Sequence, residues 1–418
     1  MFAFILIGGI CSGKTSLAKE ITSQSNFELV SKDMCIYESD MLCRKGICKT
    51  WETIRENRIK QLIGKNIVFD ETLRIGKLDE IKKHGYTIIG IRMSRDKDLR
   101  ATRLVERNNV RKACMDELSA ISQINLDSLS QNERRDLWRS QSFIDNLPTT
   151  TQAHFDEILK KIYLLGSHVL KDEEPNPACF PDIDYIINAS DLTTEDFQNP
   201  HAVIDKSMSY QDYLKSWAKK VRYCIWDVGG VFYKFTLTPL YDWGLCHTDN
   251  KAVFNERIHK FSFNDYMSGK ISFTRFCQSF CEFFAIPYHD EYDGKIEECL
   301  HRGIGELFPE TGNSIRQLKT NGIINCVLSN ALPALASDGN HPDLIEPDNR
   351  FYSFELKALK PENKIYTLMR DRLGATFEEM VFIDDKPRNV HAAIDLGMYS
   401  ICFDRATINK ELGKIHLI

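Results

Sequence analysis

Five short clusters carry side chains whose types and spacing could handle phosphoryl groups. Asp227 ends the apolar run 223-YCIWDVGGVF-232, which reads as a buried strand feeding a glycine turn and delivering one carboxylate to the mouth of a sheet. Ser329 and Asn330 close 323-IINCVLSN-330 and offer a hydroxyl and an amide to a phosphoryl oxygen. Lys360, in 358-ALKPENKIY-366, supplies a positive charge just ahead of a proline that starts a helix. Asp384 and Asp385, in 380-MVFIDDKPRNV-390, are paired carboxylates suited to Mg2+. Near the N-terminus, Gly8, Gly13, Lys14 and Thr15 satisfy GxxxxGK[ST], with Gly9 and Ser16 beside them. Glycines let the backbone wrap a phosphate chain, helix-start amides point at it, the lysine neutralises it and the threonine hydroxyl ligates Mg2+. ATP and Mg2+ are the ligands this loop implies.

These clusters need elements to hold them. Residues 2–21 read as strand, glycine loop and helix start. A second strand is expected over 28-ELVSKDMCI-36, ending in Asp33, a third over 66-NIVFDETLR-74, with Asp70, Glu71 and Arg74 at its end, and a fourth over 86-YTIIGIRMS-94. An arginine-dense helical segment follows with Arg100, Arg103, Arg107 and Arg111, whose spacings of three and four share one face. A last strand is expected at 183-IDYIINAS-190, then a polar connection from Asp191 to about Lys220 with one amphipathic helix. In the second half, an insert between Val231 and about Leu307 is rich in aromatics at helical spacing, Phe261, Tyr266, Phe276, Phe280 and Phe284 among them. Most of those rings are expected to be core. The fold class is therefore α/β in two domains, 1–205 and 206–418, the second with a small helical cap over about 238–307.

The chain has 418 residues, 43% hydrophobic and 27% charged, the bulk of two or three soluble domains. MFAFILIGG is too short and lacks the basic leader of a signal peptide, and no run reaches the roughly 20 apolar residues of a membrane helix. A cytoplasmic location and no membrane partner are expected. The thirteen cysteines are scattered; Cys277 and Cys281, one turn apart with no nearby histidine, read as buried thiols rather than a zinc site. A net charge of -5 argues against general nucleic-acid coating, although residues 55–112 hold 16 Lys and Arg against 8 Asp and Glu.

Residues 1–195 resemble the P-loop kinase superfamily, which implies that Asp33 orients or deprotonates an acceptor hydroxyl, that Asp70 supports Mg2+ through water, and that Arg74 holds the acceptor. By the same resemblance Arg103 and Arg107 close on the transferring phosphate. Residues 221–405 resemble the haloacid dehalogenase-like (HAD) hydrolases. That resemblance implies that Asp227 is a nucleophile forming an aspartyl-phosphate, and that Asp227, the Gly229 carbonyl and Asp384 or Asp385 hold Mg2+. Ser329, Asn330 and Lys360 then take the phosphoryl oxygens. Gly229 stands where most phosphatases of this class carry a second Asp that protonates the leaving oxygen. The variant is similar to a sugar-phosphatase-like subgroup.

The expectation is a bifunctional phosphotransfer enzyme, an ATP-dependent kinase joined to a Mg2+-dependent phosphatase acting on a small metabolite such as a sugar phosphate or nucleotide. Two alternatives stand beside it. One is a polynucleotide 5′-kinase/3′-phosphatase, for which the domain order speaks and against which Ile36 and Gly229 speak. The other is a nucleotide- or phosphate-sensing module with an inactive phosphatase domain. The oligomeric state is open.

Overall fold

Phe2–Ile7 is six consecutive apolar residues, nearly all buried, the pattern of a strand covered on both faces of a parallel sheet. The computed structural model describes residues 1–8, 12–47, 49–70, 78–93, 97–165, 176–180, 183–258, 260–336 and 344–418. They divide into two compact units, Met1–Tyr213 and Leu214–Ile418.

In the first unit, Phe2–Ile7 (β1) lies between Asn66–Phe69 (β3) and Thr87–Arg92 (β4), with Phe27–Val30 (β2) beyond β3 and Tyr185–Asn188 (β5) beyond β4. All four pairings are parallel. A two-residue strand, Met208–Ser209 (β6), adds antiparallel to β5. Because β1 is flanked by strands reached in opposite directions along the chain, its carboxyl end lies at the switch point where open α/β sheets bind ligands.

Several boundaries differ from the sequence reading. The second strand stops at Val30, because its partner ends at Phe69 and Ser31 in extended backbone begins the helix Lys32–Arg44; Asp33 therefore stands in a first helical turn, not at a strand end. β3 likewise stops short of Asp70, and Glu71 and Arg74 lie outside the described residues, as does Gly9. The connection after β5 holds two helices, Pro200–Lys206 and Tyr210–Ala218, with β6 between them. Asn199 starts the first by accepting from the His201 N–H.

In the second unit, Tyr223–Trp226 (β7) is the central strand of an all-parallel sheet. It lies between Ile324–Ser329 (β10) and Met380–Asp384 (β12), with Arg350–Tyr352 (β11) and Tyr399–Cys402 (β13) at the edges. An antiparallel ribbon of Tyr233–Phe235 (β8) and Ile304–Leu307 (β9) leaves and re-enters this body. Between its strands the chain forms five helices, 238–247, 251–257, 264–267, 273–283 and 292–302. Their core is Leu240, Phe254, Tyr266, Phe276, Phe280 and Phe284 with Cys277 and Cys281, so these rings and thiols are packing groups. Among the described residues no helix is long and apolar enough to cross a membrane.

Candidate active site

Register assembles the site. Trp226 pairs with Val327 on one side and with Ile383 on the other, so the next residues outward, Leu328, Asp227 and Asp384, stand abreast at the carboxyl edge of the sheet. The Asp227 N–H closes the ladder on Ile383 O at 2.8 Å. Trp226 is fully buried, and its indole N–H donates to Asn325 Oδ1 at 2.9 Å, which satisfies the ring's one polar atom inside the core.

Lys360 reaches into this row. Its ammonium lies 2.8 Å from Asp227 Oδ1 and donates to Asp384 Oδ2 and to Leu328 O, both at 2.7 Å. All three of its donors are thus committed, so it offers the cavity its charge rather than a spare N–H. Burial alone would lower the pKa of this fully enclosed amine, but Asp227 and Asp384 outweigh that and hold it raised. The backbone around it is fixed by Asn330, whose amide accepts from the Lys360 N–H at 2.8 Å and donates to Lys360 O at 2.9 Å. Asn330 therefore fixes the lysine backbone and also lines the cavity over Asp227. The helix after Lys360 begins at Asn363, two residues beyond Pro361, rather than at the proline.

The carboxylates form the other half. Asp384 accepts from the Lys386 N–H at 2.8 Å and from Asn389 Nδ2 at 3.0 Å on each oxygen, in addition to Lys360. Burial first, and then the charge of Asp227, raise its pKa; Asp385 is raised by burial and by both neighbouring aspartates. Asp227, Asp384 and Asp385 each present one oxygen within 4.8 Å of the others. Asp385 Oδ1 is buried with no hydrogen-bond partner, which suits it to be a metal-ligand oxygen. Three carboxylates, one of them with an orphaned oxygen, fit a hard divalent ion such as Mg2+. The turn that permits this is Gly230, at φ 88°, where a Cβ would overlap the Asp385 carboxylate.

These groups open into a cavity of about 230 Å³, whose floor includes Asp227, Gly229, Ser329 and Lys360. Asn389 lines it too and was not singled out from sequence, although it sits five residues after Asp384 on the first turn of the helix Pro387–Ile394. The far wall comes from the cap and the segment after β10. Tyr266 OH accepts from the Ala334 N–H at 3.1 Å, and Ser353 Oγ donates to Met267 O at 2.6 Å, which ties the cap helix 264–267 to the sheet.

The N-terminal loop is described on both flanks. Gly13 caps the helix Lys14–Gln24 at φ 100°, a left-handed conformation that suits glycine. Lys14 Nζ folds back onto Gly8 O at 2.7 Å; Thr15 and Ser16 occupy the first helical turn. Arg103 and Arg107 lie on the helix Lys97–Ser122, which packs against the helix Thr149–Leu165. Arg107 donates to Leu164 O at 3.0 Å, at the end of that second helix. Sequence reasoning missed Asp40 in this unit. It is fully buried, and it receives Arg135 in a forked pair, Arg139 at 2.7 Å and the Tyr163 hydroxyl.

Residues 221–397 match the family model described as haloacid dehalogenase-like hydrolase. That match lies within the C-terminal unit and covers less than half of the chain. Among curated proteins, similarity extends to bifunctional epoxide hydrolase 2 of Rattus norvegicus, 27% identical over 36% of this chain and 29% of that protein. It extends also to flavin mononucleotide hydrolase 1 of Arabidopsis thaliana, 37% identical over 13% of this chain and 23% of that protein. The chain thus spans less than a third of the length of these relatives. Among solved structures, a HAD-like family hydrolase from Porphyromonas gingivalis is 23% identical, covers 47% of this chain and 98% of its own, and gives a TM-score of 0.39. A HAD family enzyme from Bacteroides thetaiotaomicron, solved with magnesium and inorganic phosphate, is 20% identical over 44% of this chain and 95% of that one, with a TM-score of 0.37. The span that matches the family model includes β7, β10, β11 and β12 and every residue of the Asp227 cluster.

Proposed function

We propose that the C-terminal unit is a Mg2+-dependent phosphatase working through an aspartyl-phosphate on a small soluble phosphomonoester. The observation that carries this is the row Asp227, Lys360, Asp384, with the unpartnered oxygen of Asp385 beside it. An anionic ester is repelled by a carboxylate nucleophile unless positive charge is built into the site, and here an enclosed ammonium touches the nucleophile. Asp227, Asp384 and Asp385 would hold Mg2+, which would supply further positive charge against the phosphoryl oxygens. Asp227 attacks phosphorus, the bond from phosphorus to the ester oxygen breaks, and that oxygen leaves with the bonding pair and takes a proton from water to become the alcohol. Water then attacks the acyl phosphate, releasing inorganic phosphate and restoring the carboxylate. Ser329, buried at the cavity floor, hydrogen-bonds a phosphoryl oxygen through both steps.

For the N-terminal unit we infer ATP binding and phosphoryl transfer to an acceptor. Supporting this are the GxxxxGK[ST] loop, its strand-before and helix-after setting, and its place at the switch point of the sheet. The acceptor hydroxyl would meet Asp33, and ATP would be held by Gly8, Gly9, Gly13, Lys14, Thr15 and Ser16.

Both activities are tested on the full chain with Mg2+. Phosphate release from phosphomonoesters should vanish in Asp227→Asn, and acid quenching of the wild type should trap a phosphoryl group on Asp227. Release that survives Asp227→Asn would refute the aspartyl-phosphate route. Transfer from labelled ATP to any acceptor should vanish in Lys14→Ala.

A further inference from the structure

The cavity over Asp227 is lined by two unlike kinds of side chain. Phe235, Leu237, Phe263, Met267, Leu332 and Leu335 form an apolar wall that is continuous with the core of the cap. Lys386 and Arg388, at the start of the helix Pro387–Ile394, line the same cavity and are both exposed, so they stand at its mouth.

The turn that carries these two cations is fixed. The Lys386 N–H donates to Asp384 Oδ1 at 2.8 Å, Asn389 Nδ2 donates to both oxygens of that carboxylate at 3.0 Å, and Asn389 O accepts from the Tyr366 hydroxyl at 3.0 Å. Arg388 lies between these anchored residues, so its backbone is in place before any ligand arrives.

Charge at the mouth is unbalanced. On the floor, Lys360 is cancelled by Asp227 and Asp384. Asp227 is also the only carboxyl group among the described residues that line the cavity. Lys386 has the Asp385 carboxylate, its neighbour in the chain, within its field. The Arg388 side chain makes no hydrogen bond or ion pair among the described residues. A guanidinium stays charged at any working pH, and positive charge at the mouth of an apolar-walled cleft draws anions in.

We infer that the substrate of this site is a phosphomonoester carrying a second oxyanion, a carboxylate or another phosphoryl group, which pairs with Arg388 at the mouth while the phosphoryl group to be cleaved sits on Asp227. This rests on the phosphatase reading above. At the mouth the second anion keeps part of its water; deeper, against Phe263 and Met267, it would lose hydration without gaining a partner. The cavity is about 230 Å³, below the roughly 300–1,000 Å³ of drug-sized sites, so the body joining the two anions is short. The planar fork of Arg388 suits either oxyanion, through two parallel N–H groups.

The test measures kcat/KM of the full chain with Mg2+ for three series of short alkyl phosphates matched in chain length, ending in a carboxylate, a second phosphate or a neutral hydroxyl. At least one anionic series should exceed the neutral one by about 10-fold, and the better of the two names the second anion. The advantage should shrink as salt rises from about 0.01 M to 1 M, over which the screening length falls from about 30 Å to 3 Å. Arg388→Gln should bring the ratio of anionic to neutral substrates down towards one. Arg388→Lys should restore only part of it, since an ammonium lacks the fork. Arg388→Glu, a polar exchange at an exposed position, should turn the preference over to aminoalkyl phosphates. A wild-type ratio near one, or a ratio that survives Arg388→Gln, would overturn this inference and leave the phosphatase reading standing. No release of phosphate from any ester would overturn both.

Discussion

At the scale of single residues, Lys360 is the group on which the site depends. It neutralises two carboxylates that are almost fully enclosed, and removing one partner of a buried pair leaves the other uncompensated. Lys360→Met should destabilise the unit by about 3–5 kcal/mol at neutral pH in urea unfolding. The sign of the pH dependence follows from the raised carboxyl groups. Asp384 and Asp385 have folded pKa values above their unfolded ones, so their burial is best tolerated below the ordinary carboxylate range and is increasingly unfavourable as pH rises through the raised values. The Lys360→Met deficit should therefore shrink as pH falls through that window. For the same reason Mg2+ competes with protons. Its stabilisation of the wild type, read as a thermal shift, should be larger at pH 8 than at pH 5. Gly230→Ala should weaken Mg2+ binding in titration calorimetry and destabilise the fold by about 1–3 kcal/mol, since the new methyl group meets Asp385 in a backbone conformation that L residues resist.

At the scale of elements, the central strand and its two neighbours bring three distant segments together, and the ribbon of β8 and β9 holds the cap. Phe280 is fully buried among other rings of the cap, so Phe280→Ala should cost about 3–5 kcal/mol and increase proteolysis within 238–302 before it affects the sheet. Ser353→Ala removes the donor to Met267 O and should raise KM more than it lowers kcat, because it loosens the wall without touching the floor. The alternation and apolar runs made β1, β7, β10 and β12 legible from sequence, and the glycine loop and the Asp384–Asp385 pair are local patterns. Strand ends were less legible. β2 stops where its partner β3 ends and the helix after Ser31 begins, which no property of residues 28–36 by themselves announces.

At the scale of the whole molecule, the proposed reading gives the two units different ways of holding phosphate, one through a glycine loop and a lysine, the other through a carboxylate cluster suited to a metal. If they serve separate reactions, their variants should separate as well. Lys14→Ala should abolish the thermal shift given by ATP and spare Mg2+-dependent phosphate release, and Asp227→Asn should do the reverse; loss of both activities in either variant would contradict that division. Sequence by itself determined the composition of each cluster, because glycine spacing, strand-end carboxylates and a lysine before proline are chemical patterns carried by neighbours in the chain. Only the tertiary structure decided which donors remain. Lys360 proved fully committed, Asn330 turned to the lysine backbone, Asn389 joined Asp384, and Asp385 kept one oxygen unpartnered. Hydrogen-bond satisfaction and burial are properties of residues brought together from 227, 330, 360 and 385, and no stretch of chain contains that information before the strands pair.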